Sequence, residues 1–238
     1  ALRAALVIRP QGDGTLLVAH MPSRFEGLKE EAALLGGKFG LPVRVMSREE
    51  VAETDYDSTE QFGALLNGLA FGLHPLRFAR GLAEAAARRG ARLHGHSHVD
   101  RWERSGAEHC LVTQGGTVRA RRVILATNGF TRDEFGSGLA ARLMPVLSNI
   151  IVTRPLTEDE LAAQGWKTER PCSNTRRLLF YYRLLPDRRF LFGARGDLTG
   201  KPEDGARGVS AFLVPLTLPG VQRTRGSDVA SHIVGRGS

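Results

Sequence analysis

Three histidines, His94, His96 and His98, alternate with other residues between Leu93 and Val99. In an extended strand this spacing turns all three imidazoles to one face, where they could ligate a metal ion. Same-face neighbours along a strand lie about 6 to 7 Å apart, whereas each metal–nitrogen bond is about 2.1 Å long. A solvated strand face is therefore the expected reading, and no metal site is assigned. His74 stands beside Pro75 at a strand-to-helix junction, a place where ligands are commonly met, but one imidazole specifies no chemistry. Cys110 and Cys172 are isolated in the sequence, so neither a disulfide framework nor a four-ligand zinc site can be built. No Gly-x-Ser-x-Gly elbow, phosphate-binding loop or His-Glu-x-x-His pair occurs, which disfavours the familiar hydrolases, nucleotide hydrolases and zinc proteases.

The most informative segment is Arg122 to Phe130. Val123-Ile124-Leu125-Ala126 reads as a buried strand, followed by Thr127, Asn128 and Gly129. In open α/β sheets ligands bind beyond the carboxyl ends of strands, and a glycine lets backbone approach a neighbour closely. The same pattern describes a plain strand-to-turn transition, and spacing alone does not choose between the two.

The elements that would position these residues follow from periodicity. Leu6-Val7-Ile8 and Thr15 to Ala19 read as a hairpin about Gln11-Gly12-Asp13-Gly14. Apolar residues Phe25, Leu28, Ala32 and Leu35 recur at helical spacing from Ser23 to Phe39, fading at Gly36-Gly37. Ser47-Arg48-Glu49-Glu50 is a capping box that opens a short helix. Pro75 starts a helix that carries Leu76, Ala79, Leu82, Ala83 and Ala86 on one face and ends at Gly90. A strand over Leu93 to Val99, a hairpin about Ser105-Gly106, and Cys110 to Val112 follow. Thr157 caps a later helix, and Leu178 to Leu185 pairs with Phe190 to Phe192 across Pro186-Asp187. Helix, short strands and a buried strand in succession predict an α/β fold with a β-rich substrate domain, a mixture of partial α/β layering and mixed sheet.

The chain has 238 residues, 42% hydrophobic and 24% charged, the composition of an ordinary globular protein of one large or two small domains. No apolar run is long enough to span a membrane, so a cytoplasmic protein is expected. Lys and Arg together number 33, yet only Lys29, Lys38, Lys167 and Lys201 are lysines, and the net charge is +8. Arginine-rich surfaces can bind nucleic acid through phosphates. Here the arginines are scattered and the dense groups (Arg119, Arg121, Arg122; Arg88, Arg89, Arg92) lack interleaved aromatics, so a solvated basic surface is expected and a nucleic-acid-binding module ranks third among the functional readings.

Four pieces in order resemble the FAD-dependent oxidoreductases of the D-amino-acid oxidase type, especially bacterial members acting on amines or polyamine derivatives. Gly72-Leu73-His74-Pro75-Leu76-Arg77-Phe78-Ala79-Arg80-Gly81-Leu82-Ala83 resembles the entry to the family's central helix. Gly90-Ala91-Arg92-Leu93 with Val99 resembles its adenine-side strand, and Ala126-Thr127-Asn128-Gly129-Phe130 its Ala-Thr-Asn-Gly-aromatic signature. Leu178 to Gly196, with Tyr181, Tyr182 and Gly193-Ala194-Arg195-Gly196, looks like the substrate-domain strands.

The resemblance implies oxidation of a C–H next to an amine, with hydride passing to flavin and the imine then hydrolysed; the protein positions and polarises. It implies that Val99 meets the adenine end of FAD, that Ala126, Thr127, Asn128 and Gly129 meet its ribityl and pyrophosphate side, and that Tyr181, Tyr182 and Arg195 line a pocket for a small amine or amino acid. Tyr181 and Tyr182 alternate across a strand, so one faces the pocket and the other packs. No residue is singled out as catalytic.

The family's opening Gly-x-Gly-x-x-Gly unit, which holds the pyrophosphate at a helix N-terminus, is not among these residues. Gly205 to Pro215 with Pro219-Gly220-Val221 looks more like the mid-chain β-domain of acyl-CoA dehydrogenases, or else one strand over Phe212 to Val214. The resulting expectation is an internal piece of an amine-oxidising flavoprotein. Residues 1–70 and 136–200 would form the substrate domain, 71–135 the remaining FAD-binding part, and 201–238 a divergent tail. FAD would be held poorly unless a partner subunit carried the nucleotide-binding half. The alternative is a non-catalytic fragment or a subunit of a hetero-oligomeric amine dehydrogenase.

Overall fold

The computed structural model describes residues 10–131, 142, 147–163, 165–197 and 230–231. The chain divides into two compact units, one over Leu76–Val146 with Ala1–Leu6, the other over Val7–Pro75 and Leu147–Ser238.

The larger unit is built on a mixed sheet of eight strands. In chain order these are β1 (Thr15–Val18), β2 (Val43–Met46), β3 (Ala64–Asn67), β7 (Leu147–Pro155), β8 (Cys172–Asn174), β9 (Phe180–Leu184), β10 (Arg189–Asp197) and β11 (Ala230–Ser231), ordered in space β11-β7-β10-β9-β8-β1-β3-β2. β1 runs antiparallel to β3 and parallel to β8. Both of its edges are therefore taken; Leu6-Val7-Ile8, the other half of the expected hairpin, lies outside the described residues.

Alternation along the strands sends side chains to two separate cores. On one face helix α1 (Pro22–Phe39) lays Phe25, Leu28, Ala32 and Leu35 on Leu17, Val43, Val45 and Leu65. The helix runs past Gly36-Gly37, where the sequence suggested it would fade. Two glycines cost about 1 kcal/mol each relative to alanine, and the packed stripe outweighs them until Gly40 adopts a left-handed φ of 62° and donates its N–H to Gly36 O.

On the other face Leu16, Val18, Met46, Ala64, Cys172, Tyr182, Phe190, Phe192 and Ala194 meet Val51, Tyr56, Leu156 and Trp166. Val51 belongs to helix α2 (Arg48–Thr54), whose first turn is capped by Ser47 Oγ accepting from the Glu50 N–H at 3.2 Å. The reciprocal half of the expected box does not form, because the Glu50 carboxylate pairs with Arg44 on β2 instead. The aromatic side chains pack closely: Tyr56 stacks on Trp166 at 4.6 Å, Tyr182 stacks on Phe192 at 6.0 Å, and the Tyr56 and Tyr182 hydroxyls meet at 2.5 Å. Burial pushes the phenols of both and the Cys172 thiol up.

Arg170, one residue before Pro171 and β8, ties distant segments together. One side of its guanidinium donates to Asp13 at 2.7 and 3.0 Å, and Nη1 donates to both oxygens of the fully buried Asp55 at 2.9 and 3.1 Å. The third helix of this unit, α4, spans Glu158–Ala163. There the expected cap is a complete box: Glu160 N–H donates to Thr157 Oγ1 and Thr157 N–H to Glu160 Oε2.

In the smaller unit, helix α3 (Pro75–Arg88) precedes a three-stranded antiparallel sheet, β4 (Val99–Ser105), β5 (Glu108–Thr113) and β6 (Gly116–Ala120). α3 buries none of its residues although its apolar residues share one face. Two expectations fail here. Leu93 to His98 is not a strand: residues 95–96 turn, His96 adopts a φ of 53°, and the three histidines do not share a strand face. No group of three metal-ligating side chains occurs among the described residues. Nor is Val123 to Ala126 a buried strand. The segment has no strand partner among the described residues and Ile124 is 92% exposed, because an apolar run becomes a strand only when a neighbouring edge accepts its backbone hydrogen bonds.

Three outcomes are expected. Asp55→Ala removes the buried half of the Arg170 grip and leaves the guanidinium only the exposed Asp13, which should cost about 1 to 3 kcal/mol in chemical unfolding. Tyr56→Phe and Tyr182→Phe each leave a buried hydroxyl without its partner and should cost about 1 to 2 kcal/mol singly, while the double variant, which removes both, costs less than the two added; a double-mutant cycle reads the difference. Arg154 first, and the Thr157 amide next, hold the Glu160 carboxyl down to about 2 from 4.5. Such a depressed carboxylate stabilises the fold above its unfolded value and loses that contribution as the pH falls toward 2, so the melting-temperature gap between the wild type and Glu160→Gln should close between pH 6 and pH 2.

Candidate functional site

The two adjacent tyrosines part across β9. Tyr182 enters the aromatic core, and Tyr181 lies on the opposite face of the sheet, half-buried, with its hydroxyl 2.5 Å from Ser148 Oγ on β7. Arg183, two residues on and so on the Tyr181 face, donates from Nη2 to Leu73 O at 3.0 Å. Burial pulls its pKa down, and no carboxylate among the described residues pairs with it. β10 runs between Tyr181 and Ser148, with Gly193 opposite Tyr181 on one side and Ile150 on the other. Arg195 pairs through its backbone with Ser148; its side chain lies outside what the structure describes.

This face presents a phenol, a serine hydroxyl and a half-buried guanidinium. Such a set can accept and donate hydrogen bonds to a small polar ligand and balance negative charge on it. Arg183 could be found in the sequence as the same-face neighbour of Tyr181. Ser148 could not, since 33 residues separate it from Tyr181 and no local pattern marks it.

The residues assigned to the cofactor lie in the other unit. Val99 opens β4 opposite Thr113, half-buried. Ala126, Thr127 and Asn128 are exposed, and a single 3-10 turn spans Asn128–Phe130. Asn128 takes a left-handed φ of 49°, Thr127 Oγ1 and Thr131 Oγ1 share a hydrogen bond of 2.7 Å, and Phe130 N–H donates to Thr127 O. These groups make a compact turn beside exposed chain. No glycine-rich strand-to-helix turn that could cradle phosphates accompanies them among the described residues, so they do not by themselves enclose a dinucleotide. The tail segment over residues 205–221 lies outside the described residues.

Known proteins agree with this architecture. The sequence model of the family described as "DAO: FAD dependent oxidoreductase" matches residues 4–223. Among curated proteins the chain is 33% identical over 182 residues to gamma-glutamylputrescine oxidoreductase of Escherichia coli, covering 75% of this chain and 40% of that protein. It is 29% identical over 201 residues to the probable oxidoreductase OrdL of Rhizobium meliloti, covering 84% and 45%. The chain thus spans less than half the length of these relatives. Among solved structures, glycine oxidase from Geobacillus kaustophilus superposes with a TM-score of 0.66 at 20% identity, covering 90% of this chain and 57% of that one. L-proline dehydrogenase from P. horikoshii gives 0.67 at 18%, covering 89% and 57%. These likenesses show the fold, and with the family match across nearly the whole sequence they establish that the chain belongs to the DAO family of FAD-dependent oxidoreductases.

Proposed function

We propose that this chain supplies the substrate-facing part of an FAD-dependent enzyme that oxidises a C–H next to an amine in an amino acid or polyamine derivative. The observation that carries the reading is the sheet face on which Tyr181, Ser148 and Arg183 lie opposite the aromatic core. A phenol and a serine hydroxyl suit an amino group, and a guanidinium lacking an acidic partner among the described residues suits a carboxylate or carbonyl on the same small molecule. When bound, the flavin supplies the two-electron acceptor. The protein's share is to hold the amine, exclude water and orient the C–H.

A second reading has its own support: the chain is one subunit of a hetero-oligomeric amine dehydrogenase whose partner carries the nucleotide-binding half. Ile124 and Phe130 are 92% and 71% exposed, and Leu76, Leu93 and Val118 are also open to solvent, apolar side chains that a partner could cover. The cytoplasm is its proposed compartment, in keeping with two cysteines that are both free thiols. No helix among the described residues is long and apolar enough to cross a membrane.

The test is the visible spectrum of the purified chain after incubation with FAD and desalting, repeated with a Gly-x-Gly-x-x-Gly-bearing half supplied in trans. The chain alone should release the flavin, and the reconstituted pair should retain it and bleach anaerobically with an amine or amino acid. Retention by the chain alone would remove the partner reading. A retained flavin that no amine or amino acid bleaches would overturn the reaction class.

A further inference from the structure

Tyr181 and Ser148 sit on strands that do not touch. β10 lies between β9 and β7, and neighbouring strands are about 4.8 Å apart, so the two hydroxyls can meet only by reaching over the middle strand. They do so above Gly193, which pairs with Tyr181 on one side and with Ile150 on the other. A Cβ placed on Gly193 would collide with the edge of the Tyr181 ring and come within 2.5 Å of its hydroxyl. Gly193 does not have a positive φ. The glycine is needed for space and not for backbone conformation: it opens a slot in which the ring lies across β10.

The far end of the contact offers the serine a second acceptor. Ser148 Oγ also lies 3.5 Å from Ala194 O, and a carbonyl oxygen can only accept. Either hydroxyl can be the donor across the 2.5 Å contact; a serine proton turned to Ala194 O would make Tyr181 the donor to Ser148 Oγ. In that arrangement the phenol proton is committed inward, and what Tyr181 offers outward is the lone pairs of its oxygen.

We propose that Ser148 is a positioning residue that pins Tyr181 across Gly193 and fixes its phenol oxygen as an acceptor for an N–H group of the substrate. The proposal rests on the reading that this face meets substrate, and it narrows that reading: the group taken by Tyr181 is a primary or secondary amine or its ammonium, whereas a fully substituted ammonium has no hydrogen to give. Arg183, on the same face of β9, remains available for a negatively charged or carbonyl part of the molecule.

The chain contains three tyrosines, Tyr56, Tyr181 and Tyr182, so labelling the tyrosine ring carbon that bears the hydroxyl with carbon-13 gives three resonances, with Tyr56 and Tyr182 reporting an intact core. Without ligand, Ser148→Ala and Gly193→Ala should each move the Tyr181 line beyond its width and leave the other two in place, and Ser148→Thr should restore it to the wild-type position. A Tyr181 line that ignores Ser148→Ala would overturn the positioning role. On the wild-type chain, n-butylammonium chloride should shift the Tyr181 line and butyltrimethylammonium chloride should not. An equal response to both salts, or to neither, would overturn the acceptor role. The ligand-free result stands apart from the reaction-class reading, which the flavin bleaching experiment decides separately.

Discussion

The seam between β1 and β8 is the constraint on which the larger unit depends. These parallel neighbours come from opposite ends of a chain that leaves the unit and returns, and their pairing of Leu16 with Cys172, Leu17 with Ser173 and Val18 with Asn174 makes one sheet of two sequence segments. Backbone bonds alone hold such a seam loosely, because each contributes only about 1 kcal/mol net. Arg170 reinforces it by gripping Asp13, just before β1, and Asp55, at the end of α2, from a position just before β8. Asp55 is wholly buried and the guanidinium nearly so, which makes the geometry expensive to break even though its net contribution relative to a well-packed apolar trio is modest.

Closing that seam has a direct consequence for the site. Once β8 is held against β1, β9 and β10 extend the sheet outward, and the pleat sends Tyr182, Phe190, Phe192 and Ala194 into one core while Tyr181, Arg183 and Gly193 take the other face. The aromatic cluster on the core side, with rings 4.6 to 6.3 Å apart, gains about 0.5 to 1.5 kcal/mol per pair beyond simple burial. It therefore fixes the register of β9 and β10. A slip of one residue would exchange Tyr181 for Tyr182 on the open face and bury a guanidinium. The rigidity of the core is thus what gives the open face a defined arrangement of polar groups.

The smaller unit stands in contrast. Its three strands and amphipathic helix α3 carry few buried side chains, and Ile124, Phe130 and the helix residues Leu76 and Leu82 are open to solvent. The hairpins of β4, β5 and β6 form because local turns and cross-strand pairing suffice for them. The segment after them needs a neighbour, and none of the described strands provides one. Asn128, in its left-handed turn, shows that the Thr-Asn-Gly stretch has a conformation of its own even so.

Much of this was legible in the sequence wherever the signal is local. The cap at Thr157, the first-turn Pro75, the end of a helix near Gly90, and the opposite facing of Tyr181 and Tyr182 each depend on residues within one helical turn or one strand repeat. The ordered family pieces identified the cofactor class for the same reason, since short motifs keep their residue types. What the tertiary structure decided is every choice among distant edges: that β1 takes β3 and β8, that Glu50 pairs with Arg44 and not with its own cap, and that Val123 to Ala126 joins none of the described strands. Ser148 belongs to this second group. Its hydrogen bond to Tyr181 exists only because Gly193 leaves a gap in a third strand, and a relation among three strands has no expression in the order of residues along any one of them.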